Sequence, residues 1–437
     1  MHNKKHIFFL FSFMAIMLIF VGVFQSWNVA LTIFNLCLIS SIMSLGINIQ
    51  WGSAGIVNFG VMGFAALGGL ANIIIAMPPT DNAWEAGGIS IIFGIIVFIL
   101  SLIITLVLWK KIILDKKIKY LISTIIIIIG YFLMRYLIDP SIENIEAIEP
   151  AKTGYLGGFN LPVLISWPVG GLLAALAAFI IGKISLGLRS DYLAIATLGI
   201  SEIIIYLLKN EDWLSRGVKN VNGLPRPVPY EIELQSKEWV IEIATTLNFS
   251  LPELSSIIVK LSYSFLFMIT LVLIFYLLEV AVKSPWGRMM RAIRDNEISA
   301  NAMGKNIKSR HLQVFIIGSA IIGIAGAMLT TLDGQFTPVS YQPLRYTFLI
   351  WIMVIVGGSG NNFGSIIGGF LIWFFWIEAE PLGLWLLSVI TSHMSDTSMI
   401  KNHLLENAAH MRLMLMGFIL LVTLRFSPKG LIPEVKR

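Results

Sequence analysis

The sequence predicts an all-α, polytopic helical membrane protein with about 10–12 transmembrane spans, some of them broken or re-entrant. Three observations carry this prediction. Of the 437 residues, 57% are hydrophobic and only 13% are charged, with a mean hydropathy of +0.83, whereas soluble domains carry roughly a quarter charged residues. Apolar runs long enough for a hydrocarbon core of roughly 30 Å recur from end to end. Basic and acidic residues segregate between alternate loops, as positive-inside orientation requires. No stretch of ordinary composition could form an independent globular core, so residues 1–437 read as a single transmembrane domain.

Lys4 and Lys5 precede the first apolar run, 7–24. The run is too long for a signal-peptide core and no A-x-A cleavage pattern follows, so it reads as a retained span with a cytoplasmic N-terminus. Further spans are expected at 29–49, 56–77, 87–109, 120–138, 161–183, 192–208, 261–282, 312–332, 347–377 and 411–426. The segment 347–377 is interrupted by "GGSGNNFG" and reads as one broken span or two short ones; Leu382 to Met394 is short enough to lie in the interface. Alternation places Lys110, Lys111, Lys116, Lys117 and Lys119 inside and Asp139, Glu143, Glu146 and Glu149 outside. It also places 209–260 outside and 283–311 inside. With two crossings in 347–377, Arg425, Lys429, Lys436 and Arg437 fall inside and both termini are cytoplasmic. The net charge of +6 then reflects retained basic loops and not affinity for nucleic acid.

Two glycine-rich stretches, "WGSAGIVNFGVMGFAALGG" and "VGGSGNNFGSIIGG", share the tripeptide Asn-Phe-Gly. Small residues let membrane helices approach closely, and Gly with Asn also breaks helices that line a polar route. Unpaired amides are costly in hydrocarbon. Asn48, Asn58, Gly60, Asn361 and Asn362 are therefore candidates for a translocation path, with plain helix packing as the competing explanation for the glycines. Asp191 and Glu202 are the acids expected at membrane depth. Asp191 lies beside Arg189, with which a local ion pair competes, whereas Glu202 has no sequence-near base before Lys209. Arg135 is expected to snorkel outward, and Cys37 to be a small packing residue. There is no Walker A loop (the nearest fragment is Gly182-Lys183-Ile184), no metal-ligand spacing among His393, His403 and His410, and no catalytic constellation.

One inside segment, "SPWGRMMRAIRDNEISANAMG" (Ser284 to Gly304), is unlike the rest. Ser284 caps a helix, Pro285 suits its first turn, and Gly304 ends it. Trp286, Met289, Met290 and Ile293 share one face; Arg288, Arg291 and Asp295 share the other. Glu297 breaks the pattern, which implies a bend or a second short helix. A solvated loop, a helix lying on anionic lipid, and a helix docked into a partner protein all compete; only docking uses both faces and the helix signals together.

"EISANAMG" within this segment resembles the EAA-type loop of bacterial ABC-importer permeases. "SLGINIQWGSAGIVNFGVMGFAALGG", "LRSDYLAIATLGISEII", "VNGL", "FIIGSAIIGIAGAM", "VIVGGSGNNFGSIIGG" and "RLMLMGFILLVTLRFSPKGLIP" follow the order of the branched-chain amino-acid importer permease family, LivM-type. The resemblance implies a multi-pass permease subunit in a bacterial inner membrane, moving branched-chain amino acids or a similar small polar solute. It implies a second homologous permease subunit, two cytoplasmic ATPase subunits that hold ATP and Mg, and a periplasmic substrate-binding protein, with no cofactor on this chain. The coupling contacts would come from Ser284, Pro285, Trp286, Gly287, Arg288, Arg291, Ile293, Arg294, Glu297, Ala300 and Gly304. Urea- or amide-type permeases are very similar; an ion-coupled secondary transporter and a membrane-embedded enzyme are the rivals outside the family. Three departures stand out: a probable extra helical pair with an acidic external segment over 85–165, Ser190 where the family has Gly, and "SRGVKNVNGL" where the family has a Gly-rich external loop before "NGL".

Overall fold

Short polar punctuation decides where the apolar runs begin and end. Ser26 is extended, and its hydroxyl accepts a hydrogen bond from the Asn28 N–H; this separates helix α1 (His2–Phe24) from α2 (Trp27–Ile47). The computed structural model describes residues 2–111, 115–149, 154–394 and 398–434, with side chains from residue 5 onward. Lys4, Lys436 and Arg437, which entered the charge reading, lie outside the described side chains.

The second span runs Trp27–Gly52 and ends irregularly. α2 loosens into a π-helical turn, Asn48–Gly52, and residues 55–60 have no regular structure before α3 (Val61–Ala76). α4 (Ile89–Lys111) and α5 (Lys116–Ala147) pack on each other. With the preceding turn they bury a small cluster of their own: Ala83, Ile91, Ile138, Ile145 and Leu156. Arg135 in α5 pairs with Asp139 at 2.9 Å, one helical turn away. α6 (Val163–Ser185) and α7 (Ser190–Asn210) follow.

The expected outer loop 209–260 ends earlier than its polarity suggested. It contains two short helices, Glu231–Gln235 and Glu238–Leu247, and the next span, α8 (Leu251–Lys283), starts at Leu251 and not near 261. Ser250 caps α8 and Pro252 occupies its first turn, so the helix begins while the sequence is still polar. The inside segment folds as α9 (Pro285–Asp295) and α10 (Glu297–Ala302), followed by α11 (Ile307–Asp333). The interrupted region is two helices, α12 (Pro343–Gly357) and α13 (Asn362–Ile390). Leu382 to Ile390 is not a separate interfacial segment: α13 continues through Pro381, which membrane helices tolerate. α14 (Met411–Phe426) completes the set.

Among the described residues, ten helical segments are long and apolar enough to cross a membrane, and α3 and α12 are shorter apolar helices. α2 and α11 are the most buried, while α1 and α14 expose most of their apolar surface. Cys37 is buried in α2. The connections gather on two faces. On one, His6 Nε2 lies 3.1 Å from the Leu431 carbonyl, and the Leu431 and Ile432 N–H groups donate to Val356 and Gly357 at 2.8 and 2.9 Å. On the other, Leu156 N–H donates to Trp213 (3.0 Å) and Leu224 N–H to Gly334 (3.1 Å), and Val221–Asn222 pairs antiparallel with Gln335–Phe336.

Candidate functional site

The face that carries α9 and α10 also carries both broken helices. α9 forms as its sequence directs: the Ser284 hydroxyl accepts from Gly287 N–H at 3.4 Å, and Pro285 sits in the first turn. Gly287 is obligatory for close approach, because a Cβ there would stand 2.2 Å from the Val282 carbonyl oxygen. The apolar face is not free for a partner. Met290 and Ile293 are fully buried in this chain's own core, Met289 packs against that core, and Trp286 Nε1 donates to Gln313 at 3.2 Å. Arg288 and Arg291 reach back to the carbonyls of Lys283 and Val282.

The break falls at Asn296, which is extended and caps α10 by accepting from Ser299 N–H at 3.0 Å. Glu297 therefore opens a second short helix; its carboxylate is exposed and 3.9 Å from His311. Ala300 is buried, and Gly304 closes the segment at φ +74°. Ile298 and Met303 are 84% and 79% exposed, leaving α10 and the residue that follows it with two projecting apolar side chains. They were not singled out from the sequence, although both lie within "EISANAMG".

Arg294 joins this module to the rest. Its guanidinium donates to the Gly52 carbonyl at the π turn, and pairs with Glu434 at 3.0 Å and Asp295 at 3.2 Å. Burial alone would lower its pKa, but hydrogen bonding to and the charge of Glu434, with Asp295, raise it on balance. The side chain therefore stays a fixed cation. Glu434 also packs against Gly360, in the break between α12 and α13.

The asparagines form the layer above. Asn48 Nδ2 donates to Asn362 Oδ1 at 2.9 Å, while Asn48 Oδ1 accepts from Gly360 N–H at 2.8 Å. Asn362 in turn donates to Glu279 at 3.0 Å. Asn58 donates to Gln50 (2.9 Å) and accepts from Gly60 N–H (2.8 Å), and Gln50 donates to the Phe315 carbonyl (2.9 Å). Asn361 caps α13 and donates to Pro433. These amides are occupied in holding two interrupted backbones together. Asn48→Ala should leave the Gly360 N–H and an Asn362 oxygen unpaired, at about 1–3 kcal/mol for each buried group; a lowered melting temperature of the detergent-solubilised protein checks this.

The two acids are placed differently. Asp191 is exposed and, among the described residues, makes no ion pair with Arg189. Glu202 is also exposed, on the outer face of α7 with Gly199, Ile203 and Tyr206. The opposite face of α7 holds the unwound segment: Thr197 Oγ1 accepts from Phe59 N–H at 3.0 Å and Ser201 Oγ from Gly63 N–H at 2.7 Å. Two hydroxyls one turn apart were a readable signal for that role. The arrangement is suited to transmitting displacement from α9 and α10 into two broken spans.

Residues 151–424 match the family described as the branched-chain amino acid transport system / permease component. The chain is 25% identical over 278 residues to the high-affinity branched-chain amino acid transport system permease protein LivM of Escherichia coli (strain K12), covering 62% of this chain and 57% of that protein. The LivM of Salmonella typhimurium is 25% identical over 276 residues, with the same coverage. A probable branched-chain amino acid transport permease protein LivM of Methanocaldococcus jannaschii is 26% identical over 267 residues, 60% of this chain and 67% of that one. The chain thus spans less than two thirds of the length of the first two relatives. No solved structure matches it significantly.

Proposed function

The chain belongs to the branched-chain amino acid transport permease family, and on that premise we propose that it is the membrane-spanning subunit of an ATP-driven importer for branched-chain amino acids. It acts as a transport component without chemistry of its own. One of two ATPase subunits docks beneath α9 and α10 on the cytoplasmic side, where both termini lie, and the opposite face receives a periplasmic binding protein at the bacterial inner membrane. The observation that carries this reading is the Arg294 bridge: one side chain ties the solvent-facing helix pair to the π turn at Gly52 and to Glu434 at the Gly360 break. A shift of α9 therefore moves both interrupted helices together.

The exposed side of α7 supports a second permease subunit. A carboxylate within a span requires polar surroundings, and a subunit packed across Glu202, with the solute path between the two, supplies them. The docking surface is tested by co-purification. Ile298→Asp with Met303→Asp should lose the ATPase subunit that the unaltered chain retains under mild extraction, with the chain itself remaining folded, since both side chains project into solvent. Retention of the ATPase by this variant, or its absence from the unaltered preparation, would count against the reading.

A further inference from the structure

In the outer half of the bundle, α2, α3, α11, α12, α13 and the 334–342 connection enclose a cavity of about 300 Å³, at the small end of the roughly 300–1,000 Å³ typical of ligand pockets. Much of its lining is aliphatic, including Ile39, Met43, Met62 and Ile350. Its polar lining includes Asp333, Thr337 and Trp373. Asp333 ends α11, is exposed, and its carboxylate makes no ion pair or hydrogen bond among the described residues. Thr337 Oγ1 and Trp373 Nε1 are each buried without a hydrogen-bond partner among the described residues. Buried polar groups in folded proteins are nearly always paired, so two orphans on one cavity point to a ligand. Two further polar groups on the wall are occupied: the Tyr341 hydroxyl bonds Thr330 at 2.8 Å, and Ser40 Oγ donates to Leu36 at 2.7 Å. Helix ends add to the pattern. Asp333 sits at the partially negative C-terminal end of α11, and Tyr346, also on the cavity wall, lies in the partially positive first turn of α12.

We propose that this cavity binds a free aliphatic α-amino acid. Asp333 takes the ammonium, Trp373 N–H and Thr337 O–H donate to the carboxylate, and the side chain lies against Met43, Met62 and Ile350. The choice of solute class rests on the permease reading; the polarity of the site rests on the cavity itself. A cation alone leaves the two donors unmatched, and an anion alone meets Asp333. The site lies within one chain, so it needs neither ATPase nor second subunit to bind.

The test is equilibrium binding of radiolabelled leucine to the purified full chain in lipid nanodiscs, competed by isoamylamine, which lacks the carboxylate, and isovalerate, which lacks the amine. Leucine should bind saturably, and each competitor should be at least about tenfold weaker than unlabelled leucine, as loss of a charge-assisted hydrogen bond implies. Asp333→Asn should weaken leucine and isoamylamine about tenfold and strengthen isovalerate, whose carboxylate it no longer repels. Trp373→Phe, which removes the N–H and keeps an aromatic ring, should weaken leucine and isovalerate and leave isoamylamine unchanged. Absence of saturable binding, equal competition by all three compounds, or leucine binding unmoved by both variants would overturn the proposal. The competition series decides alone if a variant does not fold. Binding without ATP-driven uptake would refute the transport reading and keep the site; uptake without this binding would do the opposite.

Discussion

Arg294→Ala is expected to lower solute uptake at least about tenfold per ATP hydrolysed while the chain still assembles with its ATPase. Charge-assisted hydrogen bonds contribute about 1.5–3 kcal/mol each, and a factor of ten needs only about 1.4 kcal/mol. Arg294 makes such bonds to the Gly52 carbonyl and to Glu434 from a side chain only 22% exposed. Removing it frees α9 from both broken helices but leaves Ile298 and Met303, the proposed ATPase contacts, in place. Arg294→Lys keeps the charge but not the planar fork that reaches two acceptors, so it should fall between. Uptake and hydrolysis in proteoliposomes with the ATPase subunits and binding protein give the ratio. An unchanged ratio in the alanine variant would remove Arg294 from the transmission route.

Gly68→Val should abolish recovery of monodisperse protein altogether. A Cβ at Gly68 would lie 1.9 Å from the Gly323 carbonyl oxygen, and one at Gly323 would lie 2.5 Å from the Gly170 carbonyl oxygen. α3, α6 and α11 thus meet backbone to backbone, where no flexible side chain can yield. The cost exceeds the ~1–3 kcal/mol of ordinary overpacking, because whole helices must separate. Gly417→Ala is the matched control: its Cβ would meet nothing within 4 Å, and alanine favours the helix. Size-exclusion profiles of fluorescent fusions distinguish the two. A well-folded Gly68→Val variant would show that the helices are not so close.

These contrasts bear on what the sequence makes legible. Ser284, Pro285 and the three-and-four spacing were enough to locate α9 and its two faces. They did not say what covers the apolar face, since periodicity records that Met290 and Ile293 avoid water, not whose atoms they touch. Between lipid-facing helices even that signal fades: α1 and α14 are apolar all round, because hydrocarbon and protein core exclude polar groups alike. Asn361 and Asn362 read correctly as a helix interruption, yet as path residues only by inference; in the fold one caps α13 and the other pairs with Asn48. Arg294 and Glu434 stand far apart in the chain, so nothing local could join them. Asn296 could have been recognised as a cap, because Asn is among the preferred N-cap residues and its side-chain oxygen accepts from a backbone N–H three residues on.

The α4–α5 pair has a consequence of parity. Its two crossings add an even number, and it carries its own small cluster of Ala83, Ile91, Ile138, Ile145 and Leu156. Whatever follows keeps its sidedness whether the pair is present or not. A pair with that property can differ in length without inverting any span that comes after it.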